Sequence, residues 1–249
     1  MTISLEPLLF DEAVEFFEEK GLKLSPTSYS DVWAEENVTA FTVARVTAVD
    51  ILEDIRKAVA DAIEDGTPLH EFKANLADIL EAKGWFVPKG EDAEIELPDG
   101  TIRKRLTPWR LNTIYQTNLQ SAYSTGRYRQ MMEVAAGRPF WQYDAVNDRR
   151  TRPAHAAQDG KIYRFDHPFW DTWYPPNGYN CRCTVRTLSA AEMQRRGLSE
   201  WVEGTDEVPD DGFAYNPGRE KWRPDFNKYS AEASAIIRQV MDQAGKLEG

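Results

Sequence analysis

Thr107-Pro108 opens the clearest helical pattern in the chain, and the pattern runs to about Gly137. A threonine able to cap, followed by proline at the first helical position, is a helix start. Trp109, Leu111, Ile114, Tyr115, Leu119, Ala122, Tyr123 and Met131 recur at helical spacing and supply a buried stripe, with Arg110, Asn118, Arg127 and Arg129 around the rest. An aromatic stripe at this spacing belongs to a core, so no cofactor is assigned to it.

Beyond Gly137 the helical period is lost. "FWQYDAV", "KIYRF" and "CRCTVRTL" alternate as short strands. The last places Cys181 and Cys183 on one face and Arg182 on the other. Turns and aromatic residues fill the spaces between them. A small antiparallel sheet with irregular loops, packed on the long helix, is the expected architecture.

Upstream, apolar residues from Val32 and Trp33 through Phe41, Ala44, Ile51, Leu52, Ile55, Val59 and Ile63 predict helix from about Ser30, weakened near Asn37 and Thr39. Gly66 stops it, and Thr67-Pro68 restarts it as cap and first helical residue. Leu69, Phe72, Leu76, Ile79 and Leu80 form the next buried face, which Gly84 closes. "Pro98-Asp99-Gly100" predicts a turn between two short alternating runs, in a hairpin or linker. A further helix is expected from about Ser230 to Gln243. The chain therefore reads as α+β: an acidic helical region over 1–88, a hairpin or linker over 89–106, a core of long helix and small sheet over 107–200, and a turn-rich segment with a helix over 201–249.

Composition narrows the function classes. Hydrophobic residues make up 41% and aromatic residues 12%, which fits a globular chain. No apolar run approaches the roughly 20 residues of a membrane helix. The N-terminus turns acidic without a basic leader, so a reducing cytoplasmic setting is expected, in which two cysteines raise a thiol or metal question rather than a disulfide. Residues 1–100 carry 8 Lys+Arg against 23 Asp+Glu, residues 101–196 carry 16 against 7, and the last 53 carry 6 against 11. A basic middle facing an acidic partner, or acidic and basic blocks facing each other within the protein or between copies, both fit this pattern.

His155, Cys181 and Cys183 are the best metal candidates. Cysteines two apart can reach one zinc, a histidine from a facing loop can be third, and Asp144, Asp148, Asp159, His167 or water would complete the set. Neither C-x-x-C nor H-E-x-x-H is present, and buried thiols beside a hydrogen-bonded histidine would serve packing equally well. A Cys-His nucleophile activated by Arg182 and Arg186 is a further reading, without a glycine-rich turn around either cysteine. Phosphate-loop and dinucleotide motifs are absent, and no complete catalytic constellation is found. Arg149, Arg150 and Arg152, with Arg103, Lys104 and Arg105, could contact nucleic-acid phosphates; pairing with Asp144, Asp148, Asp159 and Asp166 in a polar network is the competing reading.

"DRRTRPAHAAQDGKIYRFDHPFW…YPPNGYNCRC" resembles the phage Mu protein F-like family of minor head proteins from tailed phages and prophages. The resemblance rests on Asp148, Arg150, Thr151, Arg152, Pro153, His155, Asp159, Gly160, Phe169, Trp170, Pro175, Pro176, Asn177, Gly178, Cys181, Arg182 and Cys183, in their order and approximate spacing. It extends through "TIYQTNLQSAYSTGRYRQM", "YNPG" and the helical segments of the N-terminal half, nearly the whole chain. It implies a virion component made in the host cytoplasm, present in several copies, acting in head morphogenesis with portal or major capsid proteins. For some members it also implies accompanying or assisting DNA during packaging or ejection; it does not imply an established catalytic activity. Some members carry C-x-x-C where this chain has Arg152-Pro153-Ala154-His155, and His where it has Gly178, which would complete a four-ligand zinc site. Here His155, Cys181 and Cys183 remain, so the region reads first as a structural knot. A metal-dependent hydrolase or toxin-like effector, and a DNA-contacting packaging factor, are the alternatives.

Overall fold

A computed structural model describes residues 11–22, 40–43, 45–46 and 48–219. Helix α1 (Asp11–Glu18) buries Ala13, Phe16 and Phe17. Strand β1 (Gly21–Leu22) pairs in parallel with β2 (Ala40–Phe41). Phe41 thus lies in a strand, although its spacing to Ile51 fits a helix. The chain adopts a left-handed conformation at Arg45 (φ 62°), which a continuous helix cannot contain, and helix α2 (Val49–Glu64) begins after it. Val32, Trp33 and Ala44 lie outside the described residues.

Helix α2 buries Ile51, Leu52, Ile55, Val59, Ala62 and Ile63. Gly66 (φ 67°) breaks it, and α3 (Leu69–Ala82) follows with Pro68 at the cap position rather than inside the first turn. The cap proline still supplies a carbonyl, which accepts from Phe72 N at 3.0 Å. The buried face of α3 is the single row Phe72, Leu76 and Leu80. Ile79 lies about 100° around the helix from Leu80 and is exposed, while Leu69 is half-buried. Strands β3 (Glu94–Glu96) and β4 (Ile102–Lys104) form the expected hairpin, antiparallel with Ile95 opposite Arg103. Its turn uses Gly100 at φ 80°, and Asp99 Oδ1 accepts from Thr101 N at 2.9 Å.

The long helix is α4 (Pro108–Glu133), capped by Thr107 Oγ1, which accepts from Arg110 N at 3.3 Å. Its end falls short of Gly137 because Ala135 and Gly137 turn back on Met132 and Val134. Leu111, Tyr115, Leu119, Ala122 and Met131 are buried as the periodicity predicts. Trp109 is not: it is 70% exposed. At about 100° per residue it stands some 200° from Leu111, on the opposite side of the first turn. The first half of α4 packs with α1, α2 and α3 in one apolar cluster; its last turns bring Tyr128 and Met131 into a second, aromatic cluster.

That second cluster covers a sheet of three strands in the order β6-β5-β7: β5 (Phe140–Asp144) in the centre, β6 (Ile162–Arg164) and β7 (Thr184–Leu188) antiparallel on either side. Trp141 and Tyr143 of β5 point into the cluster and are fully buried, while Phe140, Gln142 and Asp144 are half-buried on the other face. Trp141 meets Tyr128 and Trp170 edge-on, with ring centroids 5.5 and 5.7 Å apart. Between β5 and β6 lies the short helix α5 (Pro153–Ala156); between β6 and β7 lies α6 (Phe169–Trp173), which adds Phe169, Trp170 and Trp173 to the core. Strand β7 starts at Thr184, so Cys181 and Cys183 precede it. The alternation holds in burial: both cysteines are buried and Arg182 between them is half-buried. A last helix, α7 (Ala190–Arg196), opens on a capping box between Ser189 and Glu192 and ends at Gly197 in the left-handed region. The helix expected at 230–243 lies outside the described residues. No helix among the described residues is long and apolar enough to cross a membrane.

Candidate functional site

The loops that leave β5 and enter β7 meet at one end of the sheet. On the first, Asp159 Oδ1 accepts from Ala145 N at 2.8 Å and Oδ2 from Asn147 Nδ2 at 2.6 Å, folding residues 145–159 into a closed loop. Gly160 (φ 77°) makes the return turn and donates its N–H to Tyr143 O at 2.9 Å. Within this loop Pro153 starts α5, and a single turn of helix drives His155 inward to 2% exposure. On the second loop the Pro175–Pro176 peptide is cis, and buried Asn177 accepts from Tyr143 Oη at 2.9 Å. A turn through Tyr179 and Asn180, closed by Cys181 N to Gly178 O at 3.1 Å, then presents Cys181 and Cys183 inward.

His155 Nδ1 stands 3.7 Å from Cys181 Sγ and 3.7 Å from Cys183 Sγ. One donor atom from each of the three residues lies within 4.8 Å of the others, and all three residues are buried. The two thiols titrate as a pair: the hydrogen bond between them, with burial, holds Cys181 above the ordinary thiol value, and the same bond, with His155 and Tyr143, draws Cys183 below it. The other ring nitrogen, His155 Nε2, is buried without a hydrogen bond and faces Asp210 Oδ1 at 3.9 Å.

Asp210 is held by the remaining motif residues. Arg152 Nε meets Asp210 Oδ2 at 2.9 Å, and Arg152 Nη2 donates to Tyr179 O at 2.9 Å. Gly178 lies directly beneath that pair: a Cβ there would stand 2.6 Å from Asp210 Cγ and 3.2 Å from Arg152 Cζ. On the outer side of the loop Arg182 forms a two-pronged bond to Asp148, at 2.8 and 2.6 Å, and Asp148 Oδ1 also accepts from Arg150 N at 2.9 Å. These contacts hold the Asp148 carboxyl well below the usual range, the Arg182 bond being the largest cause.

The sequence candidates thus divide by role. His155, Cys181 and Cys183 converge, and Asp148, Arg152, Asp159, Gly160, Pro176, Gly178 and Arg182 build the loops that bring them together. The four residues considered for a further ligand are engaged elsewhere: Asp144 with Arg186, Asp148 with Arg182, Asp159 with backbone, and His167, whose Nδ1 accepts from Phe169 N at 3.1 Å. Arg182 and Arg186, which the nucleophile reading would have beside a thiol, spend their charge on Asp148 and Asp144. Nor do the three arginines considered for nucleic acid form one patch. Arg152 points inward to Asp210, Arg150 is exposed and 3.8 Å from Asp148, and Arg149 is exposed. Arg103 lies over the Trp85 ring and Lys104 pairs with Glu94. Asp210 itself was missed: it sits in a turn-rich segment with no spacing relation to the cysteines.

The chain spans 57% of protein F of Escherichia phage Mu, a relative named as a capsid assembly protein, and is 37% identical to it over 93% of its own length. It is 42% identical to the Mu-like prophage FluMu F protein of Haemophilus influenzae over 67% of this chain and 40% of that one. Both curated relatives are therefore considerably longer. No solved structure matches the chain. The profile of Phage Mu protein F like proteins matches residues 53–186, from α2 through the His155 loop and both cysteines into β7, and the chain belongs to that family.

Proposed function

We propose that this chain acts in head morphogenesis of a tailed phage or prophage, as a minor capsid component that works through protein surfaces at the portal or beneath the shell. The observation that carries this reading is the similarity to the phage Mu relative named for capsid assembly, which runs along 93% of the chain. The candidate site supports it too. Its charged groups are consumed in holding two loops together, as in Arg182 with Asp148 and Arg152 with Asp210. A part that must keep one shape through assembly gains from such cross-links; a catalytic centre would leave some of these groups facing a cleft. The partners are portal and major capsid proteins, met in several copies per head.

The test is to induce a phage or prophage carrying a deletion of this reading frame and to fractionate the lysate. The reading expects the wild-type chain to co-sediment with heads, and its deletion to lower the yield of DNA-filled heads. Wild-type heads free of the chain, with head yield unchanged on deletion, would overturn it.

A further inference from the structure

We propose that His155, Cys181 and Cys183 bind one zinc ion, which locks the β5–β6 loop to the approach of β7. This inference is independent of the head-assembly reading. The donor set is two sulfurs and an imidazole, the combination that suits zinc among the common divalent ions. The spacing fits as well. With Zn–S near 2.3 Å and Zn–N near 2.0–2.1 Å, a tetrahedral ion places sulfur and nitrogen ~3.6 Å apart. The 3.7 Å separations between His155 Nδ1 and both sulfurs match that.

The orientation of the histidine ring is the second observation. A metal on Nδ1 obliges the ring to carry its proton on Nε2. That atom is buried, lacks a hydrogen bond and is directed at Asp210 Oδ1, 3.9 Å away. A carboxylate behind the imidazole is the usual outer partner of a metal-bound histidine, since it fixes the ring and makes it a better donor. Arg152 and the bare Cα of Gly178 keep Asp210 there. The arrangement sets the buried Nε2–H toward a carboxylate.

Solvent supplies the fourth ligand. A pocket of about 10 Å³ reaches the three donors past Val146, Thr151 and Asn180. It has room for about one water. Ligand sites run to hundreds of Å³, so no substrate reaches the ion and its role is to hold structure. It joins position 155 to positions 181 and 183, across the whole of β6 and α6.

The test uses the full chain, purified from zinc-supplemented medium. Elemental analysis is expected to find one zinc per chain. After chelation, added Co²⁺ should produce the d–d bands of a tetrahedral site and a near-ultraviolet thiolate-to-cobalt band. A thiol reagent should label both cysteines quickly in the chelated chain and slowly in the zinc-loaded one. His155→Ala and Cys183→Ser should lose the cobalt band; because either could fail to fold, Asp210→Asn serves beside them. It keeps all three donors and is expected to weaken zinc by roughly 10–100-fold, measured by competition with a chromophoric chelator. A folded chain that takes up no zinc, gives no thiolate band with cobalt and reacts at both thiols equally with and without zinc overturns the proposal.

Discussion

Gly178→Ala puts the packing around Asp210 to the test. The glycine does not lie in the left-handed region, so alanine meets no backbone objection there. By itself the change should stabilise by ~0.4–1 kcal/mol, since alanine restricts the unfolded chain. The space around it decides otherwise. The new methyl would stand 2.6 Å from Asp210 Cγ, and Asp210 cannot retreat as a unit: its N–H donates to Asn177 O at 3.0 Å and its carbonyl accepts from Phe213 N at 2.9 Å. The carboxylate must swing away and abandon Arg152. Overpacking of this kind costs ~1–3 kcal/mol. The ion pair, about one-third exposed on each side, contributes at most ~1 kcal/mol after screening. The net expectation is ~2 kcal/mol of destabilisation, read in a urea titration, or a fall in Tm of roughly 4–8 °C for a chain of this size.

The control is Asp210→Ala. With the carboxylate gone, Gly178→Ala meets mainly the Arg152 guanidinium, a long side chain that can move. The double variant should be no less stable than Asp210→Ala alone, giving a coupling of about the size of the single-variant loss. Additive losses would refute the steric argument, and so would a Gly178→Ala chain that melts at or above the wild-type temperature.

Two further outcomes follow from other parts of the molecule. Glu192, held by the backbone N–H of Ser189 and by Arg138, has its carboxyl drawn from an ordinary value of 4.5 to about 2. A depressed carboxylate stabilises fully above its unfolded value and loses that effect as pH falls through the folded one. The stability difference between wild type and Glu192→Gln, from paired urea midpoints, should therefore shrink between about pH 4.5 and 2; a constant difference would contradict the assignment. Burial predicts opposite results for two tryptophans: Trp109→Ala, on the exposed first turn of α4, should change stability by no more than ~0.5 kcal/mol, whereas Trp141→Ala, on β5 at the centre of the aromatic cluster, should cost ~3–5 kcal/mol. Equal losses in thermal melts would mean the first turn of α4 is buried.

What the sequence made legible depended on how locally each feature is encoded. Helix α4 was readable because its cap, proline and apolar row lie within one stretch, and Trp109 was misplaced because a residue in a first turn has few neighbours to fix its phase. The break at Arg45 could not be read: nothing in its side chain announces φ of 62°. Helix α7 carries a local signal, Ser189 three residues before Glu192, which the strand pattern just before it masked. The strands were found by alternation, but their order β6-β5-β7 and the register Trp141 opposite Tyr163 and Thr187 depend on long-range pairing. In the candidate site, the histidine and both cysteines stood out by residue type. Asp210 did not, because an aspartate in a turn is ordinary until folding sets it behind His155.

The edges of the small sheet narrow how an assembly role can be carried out. Strand β7 has an outer edge, and side chains cover it: Cys183 O accepts from Gln120 Nε2 at 3.4 Å, Val185 O from Arg127 Nε at 3.1 Å and Thr187 O from Arg138 Nη2 at 2.7 Å. The first two donors belong to α4, so the long helix seals the edge while its other half packs on the N-terminal helices. The outer edge of β6 is closed too, by Trp201 N on Ile162 O at 2.7 Å and Trp170 Nε1 on Arg164 O at 2.9 Å. An open edge is where another chain adds a strand, and both outer edges of this sheet are occupied from within. Association through it would first have to strip Gln120 and Arg127 from β7, breaking the bonds that join the loop of Cys181 and Cys183 to α4. The assembly role proposed above would therefore not use strand addition to this sheet, and the sheet with its buried His155 cluster would serve it as a fixed frame.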